Sequence, residues 1–346
     1  MTRLKSAPFT ICLNMLRNTK SILAICLALS LFGIMFATTR QSPAVFRYGD
    51  NPYLLARDVI RTEPPPKSFM ELQEIEQKSR LKHLRQVCSE HKELSEGPIE
   101  QETADHIYVN YNIKGIYCYI PKVACSNWKR VMMVLEGYPK HINDITGWEA
   151  HENNGMTLLS SLPLEEQSAV LANFTKFMVA RDPFVRILSA YKNKFEDLVE
   201  YDSKVHFQYY GKLIMQRYRR KPTRMNLATG RGVRWPEFVA YLTDPEQRLA
   251  FENHWQDMKS ICSPCKINYD YIAKLETIKD DSEFILRNFN VSDEITFPEA
   301  HNSNPTDSKN QYYRYYDQLT LGVIKKLWNV YKLDFELFGY PKPDLF

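Results

Sequence analysis

Tyr117-Cys-Tyr-Ile-Pro-Lys-Val-Ala-Cys-Ser-Asn-Trp-Lys-Arg-Val-Met-Met-Val-Leu135 is the stretch on which the reading of this chain turns. Cys118 to Ile120 is β-prone, and Pro121 stops the run. Ser126 or Asn127 can cap the helix that follows. Trp128, Val131, Met132 and Leu135 recur at i, i+3, i+4 and i+7, the spacing of one buried helical stripe. Strand, short turn and helix in this order is how a parallel α/β sheet presents an anion site. The helix N-terminus offers backbone N–H groups and a partial positive charge, and Lys122 adds a full one. A ligand carrying phosphate or sulfate is expected at this turn.

The arrangement recurs about sixty residues on. Lys176-Phe-Met-Val-Ala180 is a short apolar strand running into Arg181-Asp-Pro183, where Asp182 can cap a helix and Pro183 suits its first position. Phe184, Ile187, Leu188, Tyr191 and Phe195 make its buried face; Arg186, Ser189 and Asn193 fall together on the other. Either motif alone also fits a capped helix start with a surface charge. Two such units, offering Lys122, Ser126 and Asn127 in one and Arg181 and Ser189 in the other, point to a nucleotide with two separated phosphates. The sequence contains no Gly-x-x-x-x-Gly-Lys-Ser/Thr, which disfavours an ordinary P-loop ATPase or GTPase.

Outward from these motifs, strands and helices alternate, so a mostly parallel sheet covered by helices is the expected fold class. Ile107, Val109 and Tyr111 alternate, Asn112 to Gly115 turns, and Ile116 to Ile120 returns: a hairpin entering the first motif. Helices are expected over 163–174, 207–220, 236–242 and 247–261, a strand over 267–274, and helix starts at Thr277-x-x-Asp280 and around Tyr316. Upstream, 40–105 has few apolar clusters and a Pro64-Pro-Pro66 break, and reads as a spacer in which 71–87 forms a solvated helix.

Ser21 to Thr39 is a 19-residue apolar run, just long enough to cross a bilayer. Arg3, Lys5, Arg17 and Lys20 precede it, which predicts a cytosolic tail (1–20), a membrane anchor (21–39) and a non-cytosolic remainder. A cleaved signal peptide is the rival; no convincing small-x-small site follows the run. Those four residues account for the whole formal charge of +4, so the main domain is near neutral and nothing points to nucleic acid. Of seven cysteines, Cys88, Cys118, Cys125, Cys262 and Cys265 lie beyond the anchor, an odd number in an oxidising compartment. Cys262-Ser-Pro-Cys265 has half the spacing of a zinc knuckle, but no second pair matches it, so a disulfide or structural thiols are expected.

Pro121-Lys-Val-Ala-Cys-Ser-Asn-Trp-Lys129 resembles the 5′-phosphosulfate loop of the Golgi carbohydrate sulfotransferases, and Arg181-Asp-Pro-Phe-Val-Arg-Ile-Leu-Ser-Ala-Tyr191 resembles their 3′-phosphate motif. The likeness is to the group that includes the chondroitin and dermatan 4-O-sulfotransferases, the N-acetylgalactosamine 4-O-sulfotransferases and the HNK-1 sulfotransferase. It runs from about Cys88 to the C-terminus, through His254-Trp255, Cys262-x-Pro-Cys265, Tyr269-Asp270 and Phe338-Gly-Tyr-Pro341.

The resemblance implies an α/β, parallel-sheet, P-loop-like sulfotransferase fold over 106–346 behind the N-terminal transmembrane helix. It also implies a type II Golgi membrane protein with a lumenal catalytic domain. The implied co-substrate is 3′-phosphoadenosine 5′-phosphosulfate, and no metal is required. Carried across, Pro121, Lys122, Val123, Ala124, Cys125, Ser126 and Asn127 wrap the phosphosulfate, with Lys122 near the bridging oxygen. Arg181 and Ser189 hold the 3′-phosphate, and Asp182, Pro183, Phe184, Val185, Arg186, Ile187 and Leu188 belong to the same site. His151, in Glu149-Ala-His151, resembles the position of the base in related uronosyl sulfotransferases; His254 is the second choice. Phe251-Glu-Asn-His-Trp255 departs from the Asn-Glu-His-Trp usual in chondroitin members, which loosens the assignment of acceptor.

Arg217, Arg219, Arg220 and Lys221, with Arg224 close by, form a dense basic run that would attract a uronic-acid polymer, or else a solvated helix end. Asn173-Phe-Thr175 and Asn290-Val-Ser292 are N-glycosylation sequons, Asn290 the safer of the two. The expected activity is sulfation of a glycan hydroxyl, in first place position 4 of N-acetylgalactosamine in chondroitin or dermatan. The alternatives are a terminal N-acetylgalactosamine or glucuronic acid, an inactive glycan-binding relative, and a nucleotide kinase dependent on magnesium. Oligomerisation is left open.

Overall fold

The computed structural model describes residues 67–292, 295–298 and 311–345. The expected tail, membrane span and most of the spacer lie outside these residues. Among the described residues no helix is long and apolar enough to cross a membrane.

Five strands form one sheet in the order β3-β1-β2-β4-β5. β1 (Ile107–Asn110) and β2 (Gly115–Cys118) make the expected hairpin, paired Ile107 with Cys118 and Asn110 with Gly115. β4 (Thr175–Ala180) and β5 (Tyr271–Lys274) continue it in parallel, while β3 (Thr157–Leu158) pairs antiparallel with β1. The sheet is therefore mixed rather than mostly parallel. The turn between β1 and β2 is too short for a crossover, which forces antiparallel pairing there. Every residue of β1 and β2 is buried, because helices cover both faces.

β2 leads into α2 (Cys125–Leu135), and β4 leads into α5 (Pro183–Tyr191). Between them lie α3 (Gly147–Glu152) and α4 (Leu164–Asn173), the latter matching the expected helix. The helical stripe of α2 docks through Trp128, whose ring lies 4.6 Å from Phe177 of β4; Phe177 in turn stacks on Tyr117 of β2 at 4.9 Å. A second aromatic core gathers Phe195, Phe238, Tyr241 and Trp255 beneath α9 (Trp235–Leu242) and α13 (Leu321–Leu337). α6 (Leu198–Ser203), α7 (Val205–Tyr218) and α8 (Arg224–Thr229) flank it. α10 (Met258–Cys262), α11 (Ile278–Asn288) and α12 (Tyr312–Tyr316) lie between α9 and α13 in the chain, and a single helical turn, Gln101–Ala104, precedes β1.

Three expectations are corrected. The 71–87 segment is helical, α1 (Phe69–Glu90), but it is docked on the domain. Gln77 Oε1 accepts from Ile272 N at 2.8 Å, Arg80 Nη1 donates to Ile272 O at 2.8 Å, and Cys88 is bonded to Cys265. These bonds cover the exposed edge of β5. Leu84 and Val87 are buried in the main core, with Phe69, Met70 and Leu81 packed against it. The polar Gln77 and Arg80 interrupt this apolar stripe and hid it, and the spacer ends before Phe69. Second, the helix expected over 247–261 is broken into a 3-10 turn at Pro245–Ala250 and the short α10. Asp257 caps α10, and the buried Asp334 carboxylate accepts from Met258 N and Lys259 N, at 2.7 and 2.9 Å, which starts a helix in mid-segment. Third, the strand expected from Ile267 begins only at Tyr271.

Cys262 and Cys265 do not pair with one another: Cys262 is bonded to Cys118 and Cys265 to Cys88. The odd cysteine is Cys125, which is buried with a free thiol.

Candidate active site

β2 and β4 are parallel neighbours, so the turns that follow them open at the same edge of the sheet, where α/β folds bind ligands. The two motifs are bonded to each other there. Arg181 Nη1 donates to Lys122 O at 2.9 Å, and Arg186 Nε donates to Pro121 O at 3.0 Å.

The first turn departs from expectation in its capping. Neither Ser126 nor Asn127 caps α2; the N-cap is Ala124, which has no acceptor to offer. Ala124 and Lys122 both take left-handed backbone, φ +66° and +72°. For residues with a Cβ this conformation costs about 1–2 kcal/mol each, strain of the kind that gathers at ligand sites. An uncapped first turn leaves backbone N–H groups for an incoming anion. Asn127 holds other partners: its Oδ1 accepts from Arg130 at 3.1 Å and its Nδ2 donates to Pro298 O at 3.4 Å. The second turn is conventional, with Asp182 capping α5 through Val185 N.

Lys122 is half-buried, and its Nζ donates to Asn193 Oδ1 at 2.9 Å. Burial, then the neighbouring Lys194 ammonium, brings its pKa down to about 7. Burial likewise lowers Arg181 to about 10. Asn193 and Lys194 reach the site because α5 runs on into a π-helical turn, Lys192–Glu196, whose wider winding re-aims them. Lys194 bonds Glu200 at 2.6 Å, and Lys129 lies 3.8 Å over the Tyr119 ring. Neither lysine had an expected role, yet each sits on a buried stripe: Lys194 three residues after Tyr191, Lys129 four after Cys125. A lysine on such a stripe is the signal that was available.

Of the other residues assigned to the donor, Val123, Phe184, Ile187 and Leu188 are core side chains, and Pro183 is buried at the first helical position. They contribute backbone and shape. Arg186 and Ser189 are not on an open face; α5 is buried nearly all round. Arg186 is spent on protein, donating to Pro121 O and also to Gln256 O and Asn253 O, at 2.6 and 2.8 Å.

Both candidate bases adjoin the turn in different hydrogen-bond states. His151 Nε2 lies 2.7 Å from Ser126 Oγ, and its Nδ1 lies 3.5 Å from Lys129 Nζ. An ammonium can only donate, so Nδ1 accepts and the proton resides on Nε2. Desolvation and then the Lys129 charge hold its pKa well below the usual value. His254 Nδ1 lies 2.8 Å from the Glu252 carboxylate, which fixes the proton there and leaves Nε2 as an acceptor. Burial lowers its pKa to about 4, against the pull of Glu252.

Half of the basic run is paired off. Arg217 bonds Asp244 at 3.0 Å and also Glu246, and Arg219 bonds Glu237. Arg220 and Lys221 are exposed. Asn173 and Asn290 are both exposed, Asn290 in a turn at φ +60°.

Residues 105–341 match the family described as "Sulfotransferase family". Carbohydrate sulfotransferase 11 of Rattus norvegicus is 38% identical over 244 residues, covering 69% of this chain and 68% of the relative. Carbohydrate sulfotransferase 14 of Danio rerio is 36% identical over 276 residues, covering 78% and 73%. Carbohydrate sulfotransferase 11 of Danio rerio is 31% identical and covers 96% of both chains. No solved structure matches.

Proposed function

The chain belongs to the sulfotransferase family, and from that premise we propose that it moves the sulfuryl group of 3′-phosphoadenosine 5′-phosphosulfate to position 4 of N-acetylgalactosamine in chondroitin or dermatan. That it is a sulfotransferase, and one of the kind that acts on carbohydrate, follows from the family and from relatives of up to 38% identity. The donor assignment is supported by one contact above others, the Arg181–Lys122 hydrogen bond that joins the two anion turns. Lys122 and the uncapped start of α2 would take the phosphosulfate; Arg181 and Ser189 would take the 3′-phosphate. Sulfuryl transfer, like phosphoryl transfer, is governed by positioning and by stabilising charge on the leaving oxygen, which a half-buried ammonium and backbone N–H groups supply. We place the protein in the Golgi membrane with this domain in the lumen.

The test is transfer of labelled sulfate from the donor to desulfated chondroitin, dermatan and glycans ending in N-acetylgalactosamine or glucuronic acid, with disaccharide analysis of the product. Label at position 4 of the polymer supports the proposal. Label confined to terminal sugars moves the assignment to the alternative acceptors.

The acceptor hydroxyl needs a base. The resemblance nominates His151, whose two ring nitrogens are both engaged. A second reading rests on the Glu252–His254 contact, which leaves a lone pair on His254 Nε2. Removing the base lowers kcat by about 10²–10⁴ with donor binding intact, and the other histidine's alanine variant does not reach that loss. His151→Ala at near-normal turnover would overturn the first assignment, His254→Ala at near-normal turnover the second.

For Arg220 and Lys221, the exposed remainder of the basic run, we expect Arg220→Gln with Lys221→Gln to raise KM for chondroitin at low salt and to leave a neutral glycan unaffected. Equal effects on both acceptors would remove these residues from acceptor binding.

A further inference from the structure

Three tryptophans of this chain, Trp128, Trp235 and Trp255, are fully buried, whereas Trp148 is 63% exposed. A lone exposed apolar side chain is ordinary. This one is set apart by the scaffold that presents it. α3 has only six residues, too few to persist without tertiary support. Glu149 pins it: its carboxylate accepts from Tyr138 OH at 2.8 Å, Lys140 Nζ at 2.6 Å, Thr146 N at 2.9 Å and Thr146 Oγ1 at 2.8 Å. Ala150 packs inward with Met133 and Ile145.

The opposite face is read from spacing. Trp148, His151 and Glu152 stand three and four residues apart, side by side on one face of the helix. His151 touches Ser126 of the donor turn at 2.7 Å, so this face fronts the reacting end of the site. Glu152 reaches the other way, pairing with Lys204 at the head of α7 at 3.0 Å. Beside the indole, a side chain added at Gly147 would meet nothing within 4 Å, which leaves the approach open. An aromatic side chain on a pinned helix thus stands one helical turn from His151, which touches the donor turn, and faces solvent.

We propose that Trp148 is a stacking platform for a pyranose ring of the acceptor glycan, one that neighbours the sulfated sugar. The apolar C–H face of a pyranose complements the negative face of an indole, and a side chain with two torsions on a pinned helix loses little entropy on contact. The inference rests on the sulfotransferase reading above. It makes Trp148 a determinant of acceptor length and leaves the chemical step to other residues.

The experiment compares wild type, Trp148→Ala and Trp148→Phe on chondroitin oligosaccharides of increasing length, at saturating donor, with melting temperature as the folding control. In Trp148→Ala we expect KM for hexasaccharide and longer acceptors to rise about tenfold, the scale of one aromatic contact, with kcat and the donor KM within twofold. Trp148→Phe restores most of the loss, and the gap to wild type closes on a single-sugar glycoside. An unchanged acceptor KM in Trp148→Ala, or kcat and donor affinity falling together, overturns the proposal. Wild-type protein that sulfates no glycan sinks the functional reading and this inference with it, a result distinct from active wild type with an indifferent variant.

Discussion

Lys122→Ala lowers kcat for sulfate transfer by about 10²–10³, the usual consequence of removing one preorganised charge donor from a developing anion. The prediction follows from where the ammonium is held. It is half-buried, donates to Asn193 at 2.9 Å, and has desolvation as the main cause of a pKa of about 7. In water Lys titrates near 10.5, so between pH 7 and 10.5 the unfolded chain binds the proton that the folded chain gives up. Stability contributed by this group therefore rises with pH through that window, and below pH 7 its penalty is fully present. An anion arriving beside Lys122 reverses the balance and draws the proton back. Binding of the 3′,5′-bisphosphate product at pH 8 should accordingly take up a proton, read by calorimetry in two buffers of different ionisation enthalpy. Lys122→Ala should abolish that uptake. Wild-type binding without proton uptake, or a variant of undiminished kcat, would remove Lys122 from the role.

Arg186→Met carries the largest expected cost to the fold. The guanidinium is 1% exposed and donates to the carbonyls of Pro121, Asn253 and Gln256. Methionine fills much of the volume and leaves one buried and two half-buried carbonyls without those donors, a loss of about 3–5 kcal/mol at 1–3 kcal/mol for each unsatisfied group, less relaxation. For a domain of this size, that corresponds to a fall of roughly 10 °C in Tm. Calorimetric melting checks it, and a fall of under 2 °C would show the carbonyls finding other partners. Because Pro121 opens the donor turn, nucleotide affinity should fall as well, in protein that is still folded at the assay temperature.

How much of this was legible in the sequence differs between the two anion turns and the rest. The hairpin and the Trp128 stripe placed the first strand, turn and helix, although β2 ends at Cys118, two residues before the expected Ile120. Arg181-Asp-Pro183 placed the second, within one residue at each end of its strand. The convergence of Lys122 and Arg181 was a resemblance in sequence and a 2.9 Å hydrogen bond in structure. The capping of α2 was misread because Ser126 and Asn127 have strong capping chemistry, while the residue in the cap position, Ala124, has none. Arg186 was placed on the open face of its helix by spacing, whereas it is buried. Only coordinates reveal that three backbone carbonyls, from segments 65 to 70 residues away, already use it. The docking of α1 escaped for a related reason. Gln77 and Arg80 look like surface residues until the open edge of β5 is set beside them, and they interrupt the short apolar series Leu81, Leu84 and Val87 that packs on the core.

The left-handed residues of the donor turn are Lys122 and Ala124, positions where phosphate loops ordinarily place glycine. Glycine would relieve the strain but would leave the free turn many shapes to sample. Side chains with a Cβ remove most of those shapes beforehand. The entropy of shaping the turn is settled during folding, so little of it is left to be lost when the nucleotide arrives. Ala124→Gly in such a turn exchanges strain for floppiness, relaxing the empty protein while loosening its hold on the ligand.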